Sequence, residues 1–441
     1  MALLSRLAAA TALLFSVTNT FGQSYDYSIF AEALKSDNIQ QASSNLNLGA
    51  DPQSGNIYEG GIRFDLANTP NATFAFAADG EFSRTKYQVE NLEPEDNKRL
   101  NASLIFQPSN INFSLSILDQ LRQVSANRQA TQQVNNLSDV NVFSIVPAYF
   151  INLTSASRID LNYRYSDIEE EQNLNSRTIG SSTVAYRRQV NQYTSWSVNA
   201  VDSHTEFKDT EFEFDQQSVF FRWQHTGDVT NYNLDFGRQR VLGEDNADDV
   251  YQTYVGVSLN REINTFSDLE LQYFQGYSDA VNVDVSNTIT QTSANDQAAF
   301  VQGLVRETQA SVIYNYTNRN FTSRWQAQTR DLESEDDFAG NIGNIDENRD
   351  SVQVDFEYRF TTAQSPSRFG IQLSYFYETS EFHINDVETK IGEGRIRFNY
   401  FPTPKLTTYL QVVERNTSGT GPQSDTDETR YIFGIEFAPR K

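Results

Sequence analysis

Ser351-Val352-Gln353-Val354-Asp355-Phe356-Glu357-Tyr358-Arg359-Phe360 alternates apolar and polar residues without a break. Successive side chains of an extended chain point to opposite faces, so this segment reads as a β-strand. One face is Val352, Val354, Phe356, Tyr358 and Phe360; the other is Gln353, Asp355, Glu357 and Arg359. The same period runs outward from it in both directions. Ile159, Leu161, Tyr163 and Tyr165 alternate with Asp160, Asn162 and Arg164; Ile371, Leu373, Tyr375 and Tyr377 with Gln372 and Ser374; Ile396, Phe398 and Tyr400 with Arg395, Arg397 and Asn399.

Alternation alone serves a soluble sandwich as well as a membrane barrel, and the links between strands distinguish the two. Short links are read at Pro108-Ser109, Thr226-Gly227-Asp228, Glu262-Ile263-Asn264, Thr317-Asn318-Arg319 and Pro402-Thr403-Pro404. Between them fall longer polar links at residues 90–97, 123–139, 169–175, 242–249, 278–303, 332–350 and 415–428. Barrels of the outer membrane place tight turns on the periplasmic rim and long loops on the other. The expected fold is therefore all-β, a transmembrane antiparallel up-and-down barrel. Its strands run from Tyr25 to Phe437 and number about 20, with about 18 as the next count. In hydrocarbon every backbone group must be paired, which an open sheet cannot do and a closed one can. The apolar face then belongs to lipid and the ionic face to the lumen. A soluble sandwich would have to bury the same aromatic face against a second sheet.

Composition agrees with this reading. The chain has 22 Tyr and 31 Phe but no Cys, which excludes disulfides and cysteine-ligated metal centres. A formal net charge of −24 argues against nucleic acid as a partner, since phosphate binding needs clustered cations. No apolar run of the mature chain is long enough for a spanning helix. Residues 1–22 read as a secretory signal, with Arg6 before an apolar stretch at 7–17 and Thr20-Phe21-Gly22 before the cleavage point. Residues 23–441 are then a single barrel domain, and residues 35–55 its first long loop or an inward excursion. No N-terminal region is large enough to fold as a separate plug.

The candidate pore-lining residues are Arg63, Arg164, Arg222, Arg238, Arg240, Arg324, Arg359, Arg395, Arg397, Asp160, Asp355 and Glu357. A set of guanidinium groups offers planar donors to an anionic or sugar-like solute, whereas any one of them serves to neutralise a neighbouring acid. Tyr163, Trp196, Trp223, Trp325, Tyr375 and Phe398 fall mostly on the outward phase, as an interfacial girdle would. Tyr431, Phe433, Ile435 and Phe437 alternate to an aromatic end, the pattern by which a final strand addresses the assembly machinery, although four residues follow it. Acidic stretches in the long links, such as Glu169-Glu170-Glu171 and Glu333 with Glu335, Asp336 and Asp337, serve loop solubility or a cation-attracting mouth. Lipid and lipopolysaccharide, the assembly machinery and a polysaccharide are the expected partners. No cofactor, metal site or enzymatic activity is expected. The one local grouping with hydrolase-like residues, Asp202-Ser203-His204, splits across two faces of a strand.

Glu32 followed by Ser36-Asp37-Asn38-Ile39, and then alternating strands to Phe437, resembles a further group. This is the outer-membrane β-barrel porins found beside exopolysaccharide and exosortase (PEP-CTERM) gene clusters. The resemblance implies a role in passing or secreting polysaccharide and carries no catalytic residues with it. An alternative is a structural or adhesive barrel that binds surface polymer through its loops. Residues 278–303, with their apolar stretch at 298–301, are a candidate constriction of the bore.

Overall fold

The computed structural model describes residues 23–39, 54–68, 73–89, 92–125, 137–171, 176–208, 213–242, 249–278, 305–334, 346–360, 368–383, 386–420 and 426–439. The signal segment and the candidate constriction at 278–303, all but Ser278, lie outside these residues. Among the described residues, twenty strands run from β1 (Gln23–Ser36) to β20 (Thr426–Phe437). Each pairs antiparallel with its neighbours in sequence, and β20 pairs back onto β1, so the sheet is closed. Between them lie, among others, β2 (Gly55–Asn68), β3 (Phe74–Tyr87), β4 (Glu95–Phe106), β7 (Ser157–Glu170), β9 (Thr194–Phe207), β10 (Glu213–Thr226), β11 (Thr230–Leu242), β12 (Val250–Asn264), β13 (Ser267–Ser278), β15 (Phe321–Ser334), β16 (Glu347–Arg359), β17 (Phe369–Phe382), β18 (Val387–Thr403) and β19 (Leu406–Gly419).

Links at residues 227–229, 265–266, 318–320 and 404–405 form one rim, which is also the rim of both ends of the described chain. Links at 37–54, 126–136, 279–304 and 335–346 belong to the other. The alternation has one inversion, since 360–368 on the short rim is longer than 383–386 on the long rim. The strands also reach further than their hydropathy indicates. Glu262-Ile263-Asn264 is not a turn but the end of β12, where the register shifts in a bulge. Pro402 and Thr403 close β18, where a second register shift falls. Glu95 and Asp96 open β4, Glu169 and Glu170 end β7, Glu333 lies in β15, and Asp427 and Glu428 open β20. These acids were assigned above to loops. Acids are tolerated in a strand once it has left the hydrocarbon, so a polar stretch does not mark a strand end here.

A round barrel of twenty strands spaced about 4.8 Å and tilted about 40° measures about 40 Å between opposite backbones. Inside it, the most buried inward side chains sit toward the long-link rim. Val140, Ile168, Val241, Val305 and Leu332 are each at most 1% exposed. Two of the apolar clusters there are Phe207, Phe214, Val241 and Tyr277, and Val140, Val142 and Ile168.

Closure depends on the β1–β20 seam, which pairs Ile29 with Phe437 through to Ser36 with Arg430. Side chains add to this ladder. Ser36 Oγ donates to Glu428 Oε1 at 2.6 Å, and the Asp37 N–H donates to the Thr429 carbonyl at 3.3 Å. The Thr429 N–H donates in return to Asp37 Oδ1 at 2.7 Å, and Asn38 Nδ2 donates to the Asp427 carbonyl at 3.2 Å. Ile39 is buried beside Gly55, where an added Cβ would come within 2.5 Å of its Cδ1. Lower on the seam, Tyr409 of β19 reaches across β20 and its hydroxyl donates to Glu32 of β1. It passes over Gly434, where a Cβ would stand 2.1 Å from the Tyr409 ring. Glu32 and Ser36-Asp37-Asn38-Ile39, the residues behind the family resemblance, are therefore the clasp that ties the first strand to the last.

Removing one hydrogen bond to a carboxylate costs about 2 kcal/mol. Tyr409→Phe and Ser36→Ala are each expected to lower the temperature at which the folded, fast-migrating form converts on heated gels. Gly434→Val, which adds bulk under the Tyr409 ring, is expected to lower it further. Conversion temperatures equal to wild type in all three would count against the clasp.

Candidate functional site: the barrel wall

The direction of each strand position follows from the ladder, because directly paired residues share a face. The outward set is apolar and aromatic: Ile29, Ile62, Val198, Val219, Phe236, Trp325, Leu373, Tyr375, Phe398, Leu410 and Phe433 are all well exposed. Near the short-link rim, aromatic rings lie against one another, as in Trp196 with Tyr186 at 5.5 Å, Phe266 with Tyr316 at 6.5 Å and Phe369 with Tyr400 at 5.1 Å. Trp196 and Trp223 face each other across β9 and β10. Tyr431, Phe433, Ile435 and Phe437 of β20 are outward, between 40% and 59% exposed.

The inward set is polar, and many of its charges are paired. Arg63 donates through Nε and Nη2 to Glu81 at 3.0 and 3.3 Å, lies 3.8 Å from Glu436 and stacks on Phe30. Arg222 holds Asp235 by two bonds of 2.7 and 2.6 Å. Asp160 is ion-paired with Arg158 at 2.8 Å and lies 4.0 Å from Arg187. Arg359 donates to Glu357 at 2.7 Å, and Gln372 donates to the same carboxylate at 3.3 Å. Arg324 stands opposite Asp355 and donates to Gln326 at 3.1 Å, while Gln353 donates to Asp355 at 2.8 Å. Arg395 is paired with Glu393, which Arg415 also approaches at 3.5 Å. Arg397 lies 3.5 Å over the Tyr409 ring and donates to Asn399 at 2.9 Å. Arg164 sits opposite Ser181 on the same inward row as Ser166. Ten of the twelve candidate residues thus face the bore, spread around the wall.

Arg238 and Arg240 do not. Arg238 pairs in register with Val219 and Thr253, and Arg240 with Gln217 and Tyr251, positions of the outer face. Arg240 is tied to Asp249, and both guanidinium groups lie about 5.5 Å over the Tyr251 ring. Arg-Gln-Arg reads the same in either phase when the flanking residues are Gly237 and Val241, so alternation cannot choose between them. The Asp202-Ser203-His204 grouping divides as its spacing predicts. Ser203 donates to the Gln216 carbonyl at 3.3 Å, while His204 meets Asp215 at 2.8 Å on the opposite face.

One inward feature escaped the sequence reading. Phe220, Tyr254 and Phe274 form a run of rings on β10, β12 and β13, with centroids 4.9 and 5.9 Å apart. They belong to the inward phase of otherwise polar rows, which hides them in a pattern search. The available signal was the bare positions beside them. A Cβ at Gly276 would come within 3.2 Å of both the Phe274 and Tyr254 rings. Arg222 and Asp235 flank the run, with Arg222 5.5 Å over Phe220.

A closed sheet with an apolar outer face, stacked rim aromatics and a polar, ion-paired interior is a transmembrane β-barrel of the outer-membrane kind. No protein-family model matches the chain, and no curated protein matches it. Among solved structures it is similar to the FrpB iron transporter from Neisseria meningitidis (F5-1 variant), at 8% identity over 95% of this chain and 83% of that one, with a TM-score of 0.45. A BenF-like porin from Pseudomonas fluorescens Pf-5 shows 10% identity over 95% and 100%, TM-score 0.40. Pseudomonas aeruginosa OpdK with vanillate shows 10% identity over 94% and 99%, TM-score 0.36.

The Asp235 side chain is only 7% exposed, so losing its guanidinium partner leaves a carboxylate poorly solvated. Arg222→Met is expected to cost about 2 kcal/mol, with the loss partly recovered in the double variant Arg222→Met/Asp235→Asn. Denaturant unfolding in detergent micelles measures both. A double variant no more stable than the single one would show that the pair is not coupled.

Proposed function

We propose that this barrel is a porin-like channel for sugar-like and charged solutes, and that polysaccharide is the polymer it passes. The observation that carries the reading is the run of Phe220, Tyr254 and Phe274 on the bore wall beside the Arg222–Asp235 pair. An aromatic ring offers an apolar face on which a sugar ring stacks, and the ion pair beside it supplies donors and acceptors for hydroxyl groups. Twenty strands allow an aqueous bore, since barrels of sixteen to eighteen already hold one. Polysaccharide as cargo is supported further by the resemblance to porins of exopolysaccharide clusters.

Purified, folded protein in planar bilayers is expected to give discrete conductance steps. Added neutral oligosaccharide should reduce the current, with residence times that shorten several-fold in Phe220→Ala/Tyr254→Ala. The absence of any current across a range of salt concentrations would overturn the channel and favour a barrel that acts through its loops. Current unaffected by every oligosaccharide tried would overturn the cargo while leaving the channel.

A further inference from the structure

The outer face at the long-link rim carries cations of two kinds. Most are already neutralised on the wall itself. Lys98 lies 2.7 Å from Asp139, Lys208 2.5 Å from Asp167 and Lys390 2.6 Å from Glu388, while Arg240 and Arg306 are tied to Asp249 and Glu333. Among the described residues, cations without such a partner are Arg238, which lies over the Tyr251 ring, and a group at the end of β1–β2–β3, where Lys35, Arg84 and Lys86 project outward. Lys35 pairs in register with Tyr431 and Asn56, Lys86 with Tyr58, and Arg84 with Gly60. Tyr58 and Tyr431 are 46% and 59% exposed, which fixes this phase as the outer one. Among the described residues, Lys35 and Lys86 have no carboxylate within ion-pair distance, and Arg84 has only Asp96 at 3.8 Å, with both side chains more than half exposed. In a chain of net charge −24, this is an uncompensated cationic patch.

Its position gives the patch a chemistry. Tyr58 and Phe433 lie level with Lys86 by register, and below the patch along β1 and β2 come Ile29 and Ile62, all exposed on the apolar face. Strand spacing and rise place Lys35 and Lys86 about 12 Å apart at the backbone, with Arg84 two residues below Lys86. Cations over an apolar wall, with tyrosines at the boundary, suit a ligand that has acyl chains below and phosphate groups above. We infer that the outer face formed by Lys35, Tyr58, Arg84, Lys86 and Tyr431 binds the phosphorylated headgroup of an outer-leaflet glycolipid of the lipid A type. Its two phosphates match the two ends of the patch, whereas a phospholipid with one phosphate matches only one. The site rests on insertion of the barrel, not on conduction, and a barrel that passes no current can still carry it.

Native mass spectrometry of the full chain in detergent, titrated with diphosphorylated lipid A, tests the assignment. Wild type is expected to retain the lipid, and Lys35→Ser/Arg84→Ser/Lys86→Ser to bind it at least tenfold more weakly. Lys98→Ser/Lys208→Ser, which removes cations already paired, should bind as wild type does. Heat-modifiable migration checks that each variant is folded. Arg84→Gln alone, on a side chain 69% exposed, gives the same direction with a smaller loss if the triple variant does not fold. Equal binding by wild type and these variants, or equal binding of dephosphorylated lipid A or phosphatidylglycerol, would overturn the site.

Discussion

Every other feature of this protein depends on the pairing of β1 with β20. A strand edge left open in hydrocarbon exposes a row of unpaired N–H and C=O groups, each costing several kcal/mol, so an unclosed sheet of any size is not an option. The nineteen other pairings join strands that are neighbours in the chain and form through local links. The seam alone must bring together segments some four hundred residues apart, and it is correspondingly reinforced. Tyr409 reaches over Gly434 to Glu32, and the turn after β1 exchanges backbone and side-chain hydrogen bonds with Asp427, Glu428 and Thr429. Loop-closure entropy makes long-range contacts the costliest to form, and these bonds act where that cost is largest.

Once the sheet is closed, its two faces acquire opposite solvents. The outer face needs only apolar bulk with aromatics at the boundaries. The inner face must carry polar groups without leaving charges uncompensated, which is why Arg63, Arg222, Arg359 and Arg395 each have a carboxylate on the same wall. Each such pair presents little net charge to a passing solute. What distinguishes one sector of the wall is the aromatic run of Phe220, Tyr254 and Phe274, and this is the basis of the functional reading.

The barrel, its strand number and the facing of most positions were legible in the sequence, because a period of two is imposed on every residue of a wall that has lipid on one side and water on the other. Val352 to Phe360 shows this period and keeps it in the structure as far as β16 extends. Three things were not legible. Strand ends were misplaced because, beyond the membrane, Glu95, Glu169 and Glu428 no longer contrast with loop residues. Arg238 and Arg240 were assigned to the wrong face because near the rim polar residues occupy both. The inward aromatics were hidden because a ring among polar residues resembles a lapse in the pattern. The clasp was visible as a motif, but its partners sit at the far end of the chain, and nothing local indicates them.

The acid-tipped strand extensions have a consequence of scale. Strands such as β1 and β19 have fourteen residues, and β18 has seventeen, whereas a tilted crossing needs about ten. At a tilt of about 40°, fourteen residues rise about 35 Å, roughly 10 Å more than the lipid band requires. The surplus carries the backbone ladder past the lipid band into water. Glu95, Glu169 and Glu428 are therefore held by sheet pairing at the ends of their strands, well clear of the hydrocarbon.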